Sequence, residues 1–250
     1  MTAPTNSPVF IGCSHGTDDP AGRASVRRLL DAVRRQRPGL DVREAFVDVQ
    51  VPGVAEVVAS IGPGRPAVIV PLLLSAGYHV HVDIAGAADS RPDTVVASAL
   101  GPDPRLADLV TGALVSAHAG AADDVVLAAA GSSDPRALAD VHAAARLVDD
   151  ALRTRFGEGR SGRTTVAYAA GGTPGVRDAV ADLRNAPGRI AVASYLLAPG
   201  YFASLLERTG ADVVTPPLLA ADVRGDSIVD SPADVVARVA LDRFDAARST

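Results

Sequence analysis

Apolar residues along this chain alternate between two kinds of segment. Short runs rich in valine and isoleucine stop at glycine or proline, as buried strands do. Longer stretches between them carry apolar residues at helical spacing. Residues 9–13 form the first run, and Ser14-His-Gly-Thr-Asp18 after it reads as a turn opening a helix. The helix is predicted over 21–36, with Val26, Leu29, Leu30 and Val33 on one face, until Pro38-Gly39 stops it. A second strand is expected over 42–49, then a short helix from Pro52 through Val54, Val57 and Val58 to Ile61. The third strand starts at Ala67 and ends at the glycine loop Ser75-Ala-Gly-Tyr-His79. A segment near 83–88, a strand at 94–97 and a helix over 105–117 follow. Strands alternating with helices predict parallel pairing in a layered α/β sandwich.

The pattern then repeats. Residues 125–135 echo the first strand and loop, and a long helix runs to about Phe156. Residues 164–176 echo 42–54 down to a shared Pro-Gly-Val, and 191–202 echo 68–79. The chain therefore reads as an internal duplication: two similar parallel-sheet α/β halves facing a shared cleft. The first half is residues 1–120 and the second 121–250, with a last helix over 232–244 closing the second. In this pairing His15 falls on Gly131, Asp48 on Ala170 and His79 on Phe202. The second copy keeps the strand and turn framework but replaces all three polar positions with small or apolar ones. Residues needed for folding alone should be needed in both copies, so the chemistry is expected in the first half.

Those three residues each end one of three successive strands. Ligands of open α/β sheets bind outside the carboxyl ends of the strands, so His15, Asp48 and His79 should reach one mouth. A single histidine before a helix is ordinarily exposed or part of a cap. Two imidazoles and a carboxylate converging on one place suit a divalent first-row metal. His118 and His142, on predicted helices, read as surface residues.

Composition narrows the partners. With 48% hydrophobic residues in 250 the chain has ample material for a core, and a net charge of -5 argues against a nucleic-acid binder. No apolar run is long enough to span a membrane. The first eight residues lack the features of a signal peptide. Cys13 is the only cysteine, so no intrachain disulfide and no multi-cysteine metal site can form. A reducing cytoplasm is the expected location. The loop at Ser14-His15-Gly16 lacks both the P-loop pattern and the G-x-S-x-G elbow, which counts against a phosphotransfer enzyme or hydrolase.

Gly12-Cys-Ser-His-Gly-Thr17, Ala45-Phe-Val-Asp-Val-Gln-Val-Pro52 and Val70-Pro-Leu-Leu-Leu-Ser-Ala-Gly-Tyr-His79, with Asp83-Ile84, resemble the sirohydrochlorin chelatases, class II chelatases of siroheme and cobalamin biosynthesis. The resemblance covers about residues 9–118, with the second half as a diverged copy. It implies insertion of Fe²⁺ or Co²⁺ into sirohydrochlorin without ATP. Iron is the first expectation and cobalt the alternative metal, and a carrier that holds metal or tetrapyrrole without turnover is the competing role. It implies that His15 and His79 are the catalytic, metal-handling pair, with no cofactor beyond the metal substrate. Asp48 stands where that family often has glutamate, and its shorter side chain is expected to supply charge as well as, or in place of, a ligand. His81 is a further candidate ligand or rim residue. The substrate's many carboxylates call for basic partners, for which Arg23, Arg27, Arg65 and Arg91 are candidates. Tyr78, Leu74, Tyr201 and Phe202 are expected to form an apolar floor for the macrocycle. Imidazole ordinarily titrates near pH ~6.5, so metal affinity is expected to fall below about pH 6. Two halves in one chain imply a monomer.

Overall fold

The computed structural model of the protein describes residues 7–77, 80–185, 188–220 and 230–249, without the side chains of Val80 and His81. Tyr78 and His79 lie outside the described residues. The first half runs β1 (Val9–Ser14), α1 (Pro20–Gln36), β2 (Val42–Phe46), α2 (Val54–Ala59) and β3 (Ala67–Pro71). A π-helical turn (Val80–Ile84) leads into α3 (Ala85–Asp89), then β4 (Thr94–Val96) and α4 (Pro104–Ser116). The second half repeats the plan as β5 (Asp124–Ala129), α5 (Pro135–Phe156), β6 (Thr164–Tyr168), α6 (Val176–Leu183) and β7 (Ile190–Tyr195). It ends with α7 (Tyr201–Leu206), β8 (Val213–Val214) and α8 (Pro232–Arg248). Each half carries a four-stranded parallel sheet, ordered β2-β1-β3-β4 in the first and β6-β5-β7-β8 in the second. No helix among the described residues is long and apolar enough to cross a membrane.

Local chemistry accounts for the element boundaries. Asp19 caps α1, its carboxylate accepting from the Ala21 and Gly22 amides, and Pro20 opens the helix at a position that needs no donor. Val26, Leu29, Leu30 and Val33 are buried as their spacing predicts. Asp103 and Asp134 cap α4 and α5 in the same way, again before a proline. β2 is shorter than the apolar run suggests. Beyond Phe46 the Val47 and Asp48 amides still donate to Ser14 and His15, and the chain then turns sharply at Val49.

In each sheet the chain starts at an inner strand, moves to one edge, and returns to the far side of that strand. This creates a switch point between β1 and β3, and another between β5 and β7. Crevices form at such points, at the carboxyl ends of the strands. The main core lies between the two sheets and draws on both halves, from Phe10, Leu29 and Leu30 to Leu127, Tyr195 and Phe244. Separate clusters cover the outer faces, under α2 and α3 in the first half and under α6 in the second.

The final helix does not close the second half, as the order of elements suggests. Instead α8 packs on α1, β3 and β4 of the first half, and α4 reaches across to α5 and β7 of the second. The reason is side-chain fit. Val236, Val239, Ala240 and Phe244 on α8 are fully buried, and the Phe244 ring lies 5.4 Å from Phe10. Polar groups secure the same placement. Arg37 donates twice to Asp245 (3.0 and 2.6 Å), Arg35 to Asp234 (2.9 Å), and Arg243 to the carbonyls of Ala99 and Leu100.

Backbone bonding also fixes how the two copies correspond. The Asp48 amide donates to His15 and the Ala170 amide to Ala130. His15 therefore matches Ala130, one position before the Gly131 that the sequence pairing selects. Gly131 matches Gly16 instead. Both glycines have φ near the left-handed region (94° and 98°), and a Cβ on either would collide with the carbonyl of residue 48 or 170.

Candidate functional site

A cleft of about 840 Å³ opens between the halves, at the carboxyl ends of β1, β3, β5 and β7. That is within the size range of sites for substantial organic ligands. His15 lies on its wall directly after β1 and is exposed. Its backbone carbonyl is held by the Asp48 amide at 3.0 Å, so β2 sets the height at which the imidazole leaves the sheet. Leu72, Leu74, Ser75 and Gly77 form the wall after β3, on the chain that continues to His79. Leu74 is only 9% exposed and supplies apolar floor.

The second half gives the opposite wall, with Tyr195, Leu197 and Pro199 after β7 and Ser132 after β5. Tyr201 and Phe202 start α7 at the rim, exposed, with ring centroids 5.6 Å apart in an edge-to-face pair. The two walls are tied together. The Tyr195 hydroxyl donates to the Leu74 carbonyl at 3.3 Å, and the Ala76 amide donates to Asp140 at 2.9 Å. Burial pushes the Tyr195 phenol well above its ordinary range, with the charges of Asp140 and Asp103 adding, so it stays a donor. Gly22 of α1 is also a contact point: a Cβ there would lie 2.5 Å from the Pro199 carbonyl oxygen.

The expected site residues divide. His15, Leu74 and Phe202 line the cleft. Asp48 sits at the lip beside His15, exposed, and its Oδ1 accepts from the Val49 amide at 2.7 Å. Gln50, which sequence reasoning passed over, lines the cleft, and its Oε1 accepts from the Thr17 amide at 2.9 Å. Its only signal was a polar side chain between two valines at a strand end. Among the described residues no three His, Cys, Asp or Glu side chains gather as a metal-holding group. His79 falls outside those residues, as does the His81 side chain. Cys13 is fully buried, and burial, with the Asp83 charge adding, pushes its thiol up to about 12. It stays protonated at neutral pH and offers no thiolate ligand.

The arginines go elsewhere. Arg23 donates to the Thr17 carbonyl (2.7 Å) and pairs with Asp18 (3.0 Å), bracing the loop after His15 without lining the cleft. Arg27 is exposed on α1, where its charge acts on Glu44 of β2. Arg65 pairs with Asp41, and Arg91 donates to the carbonyls of Gly62 and Arg65. Both stand before β3 and β4, at the amino ends of the strands and away from the mouth, which overturns their candidacy as substrate partners.

Comparison with known proteins agrees with this geometry. Residues 9–117 match the CbiX family model. A search of curated proteins finds no match. Among solved structures, SirB from Bacillus subtilis with Fe³⁺ is 17% identical with a TM-score of 0.74, covering 96% of this chain and 94% of that one. SirB from Bacillus subtilis subspecies spizizenii, a sirohydrochlorin chelatase in complex with cobalt, is 17% identical with a TM-score of 0.73, covering 97% and 96%. CbiX, described as the terminal enzyme for biosynthesis of siroheme in denitrifying bacteria, is 18% identical with a TM-score of 0.62, covering 96% and 99%. The likeness spans both halves and both sheets. Residues 9–117 thus resemble the CbiX family, and the whole chain has the two-half α/β fold of these solved chelatases.

Proposed function

We propose that the protein inserts Fe²⁺ into sirohydrochlorin without ATP, in the cleft between its halves. The observation that carries this reading is the placement of His15. It leaves β1 at the switch point and faces an apolar cleft built by both halves. In the reaction a divalent metal replaces two pyrrole protons, so the site must hold the metal, hold the ring and accept protons. His15 and His79 hold the incoming metal as neutral imidazoles; the imidazole that releases the metal to the ring nitrogens accepts one pyrrole proton and passes it to water, and the second proton leaves to water at the open cleft. Asp48 supplies negative charge at the lip, with His81 a further polar group on the same connection. The ring lies against Leu74, Tyr78 and Phe202, with its carboxylates toward solvent at the open rim. One chain supplies both walls, so the protein works as a monomer, and a reducing cytoplasm keeps the iron ferrous.

Two similar folds have been solved with different metals, Fe³⁺ and cobalt. Cobalt insertion is therefore the second reading, and the affinity order of nitrogen and oxygen sites alone would favour Co²⁺ over Fe²⁺. The test is anaerobic: mix the protein with excess sirohydrochlorin and either metal, and follow the absorbance of the macrocycle. Multiple turnovers that His15→Ala slows by about 100-fold or more support the reading and rank the metals. Stoichiometric binding without turnover would make the protein a carrier. A His15→Ala variant with full activity would refute the assignment.

A further inference from the structure

The two copies of the fold act as an internal control on one residue at the cleft lip. After β2 the chain turns through a residue in the left-handed region, and after β6 it makes the same turn. The residues there are Val49, at φ 62°, and Gly171, at φ 59°. Their equivalence follows from the bonds just before them, Asp48 to His15 and Ala170 to Ala130. The second half uses glycine, which adopts this conformation without penalty. The first half uses a β-branched residue, for which a positive φ is a genuine outlier. The turn itself therefore does not require a side chain at this position. The neighbouring residue changes with it: Asp48 accepts from the Val49 amide at 2.7 Å, whereas Ala170 has no side-chain acceptor to offer Gly171.

Val49 is 47% exposed and lines the same cleft as His15, with Tyr201 and Phe202 contributed by the other half. A strained valine at the rim leaves about half of its surface open to the cleft and solvent. Its isopropyl group becomes useful when something flat and apolar enters. Strain of this kind persists where the surroundings over-determine it, and it concentrates at ligand clamps.

We propose that Val49 is a substrate-contacting residue that sets macrocycle affinity. Its isopropyl group is held over the cleft by the hydrogen bond from its amide to Asp48, and it packs on the apolar face of the bound ring. This deepens the function proposed above and rests on it. It assigns to the lip of the first half a contact matching the aromatic pair on the second. Asp48 is then a positioning residue for that contact, whatever its charge does to the metal.

The test compares Val49→Gly and Val49→Ile with the unaltered protein. Sirohydrochlorin binding is measured by absorbance titration, Co²⁺ binding by equilibrium dialysis without the macrocycle, and folding by thermal unfolding. Val49→Gly is expected to weaken macrocycle binding on the order of tenfold. Co²⁺ affinity should be unchanged, and the unfolding midpoint should not fall, because glycine suits the backbone. Val49→Ile keeps the contact and should bind like the parent. Equal macrocycle affinity in Val49→Gly and the parent overturns the assignment and leaves the chelatase reading intact. Failure of the unaltered protein to bind the macrocycle overturns both.

Discussion

Asp48 brings a negative charge to the lip beside His15, and its Oδ1 also holds the Val49 amide at 2.7 Å. These two roles can be separated because asparagine keeps an acceptor oxygen while losing the charge. Asp48→Asn is expected to weaken metal binding but to leave macrocycle affinity near that of the parent. Asp48→Ala removes both, and should weaken macrocycle binding as well, by about tenfold, since a charge-assisted hydrogen bond contributes roughly 1.5 kcal/mol. Separate titrations with Co²⁺ and with sirohydrochlorin give the answer. If Asp48→Asn loses macrocycle affinity as fully as Asp48→Ala, the hydrogen bond is not what matters. At this scale the sequence was informative about chemistry and poor about conformation. The histidine at the end of β1 was legible because strand ends face the mouth of a parallel sheet. The positive φ of Val49 was not, since nothing in a run of valines announces a left-handed turn.

The connection after β3 shows how one element can depend on another far away in sequence. Leu74 and Ala76, on the path to His79, are held by Tyr195 and Asp140 of the second half. The second half thus braces the wall after β3 of the first. Removing the Tyr195 hydroxyl leaves the buried Leu74 carbonyl without that donor, at a cost of about 1–2 kcal/mol. For a chain of this size that is roughly 2–8 °C in unfolding midpoint. A Tyr195→Phe, Asp140→Ala double variant is therefore expected to remain folded but to lose kcat well beyond what its lower stability explains. The Ala76 amide should exchange its hydrogen faster in the variant, while amides in β1 and β5 keep their protection. Unchanged exchange at Ala76 together with unchanged kcat would sink this account. The strands themselves could be read from valine-rich runs bounded by proline and glycine, and α1 from its spacing and its Asp19-Pro20 start. The brace could not be read. Asp140 belongs to an alanine-rich helix, and local pattern says nothing about which carbonyl or amide a helix will meet across a cleft.

For the molecule as a whole, the crossing of α4 and α8 means that neither half completes its own core. An amphipathic helix shows in its sequence that one face will be buried, but not by which sheet, so the exchange was invisible before the structure. Ion pairs flank the apolar core of this seam. Asp103 would be pushed up by burial, but hydrogen bonds from Arg105 and the charges of Arg105 and Arg243 outweigh this and hold it below the usual carboxylate range. Asp234, held by Ser231 and Arg35, and Asp245, held by Arg37, are lowered as well. A carboxylate whose folded pKa is depressed stabilises the fold above its unfolded value, and that stability is lost as pH falls through the folded value. Acid should therefore loosen the seam from about pH 4 downward. Glu44 runs the other way: burial raises its pKa, so protonation relieves a small cost. The exposed pairs contribute about 1 kcal/mol or less each, which leaves Asp103, with its side chain only 6% exposed, as the main term. Asp103→Asn keeps an acceptor for the Arg105 amide that caps α4 but cannot pair with Arg105 and Arg243 as an ion. Urea unfolding at pH 7 should show it less stable than the parent by about 1–3 kcal/mol. At pH 3 the difference should shrink, because the parent is losing the same charge. A gap that stays constant between the two pH values would mean that Asp103 acts through its shape and not its charge, and that the acid sensitivity of the seam lies with Asp234 and Asp245.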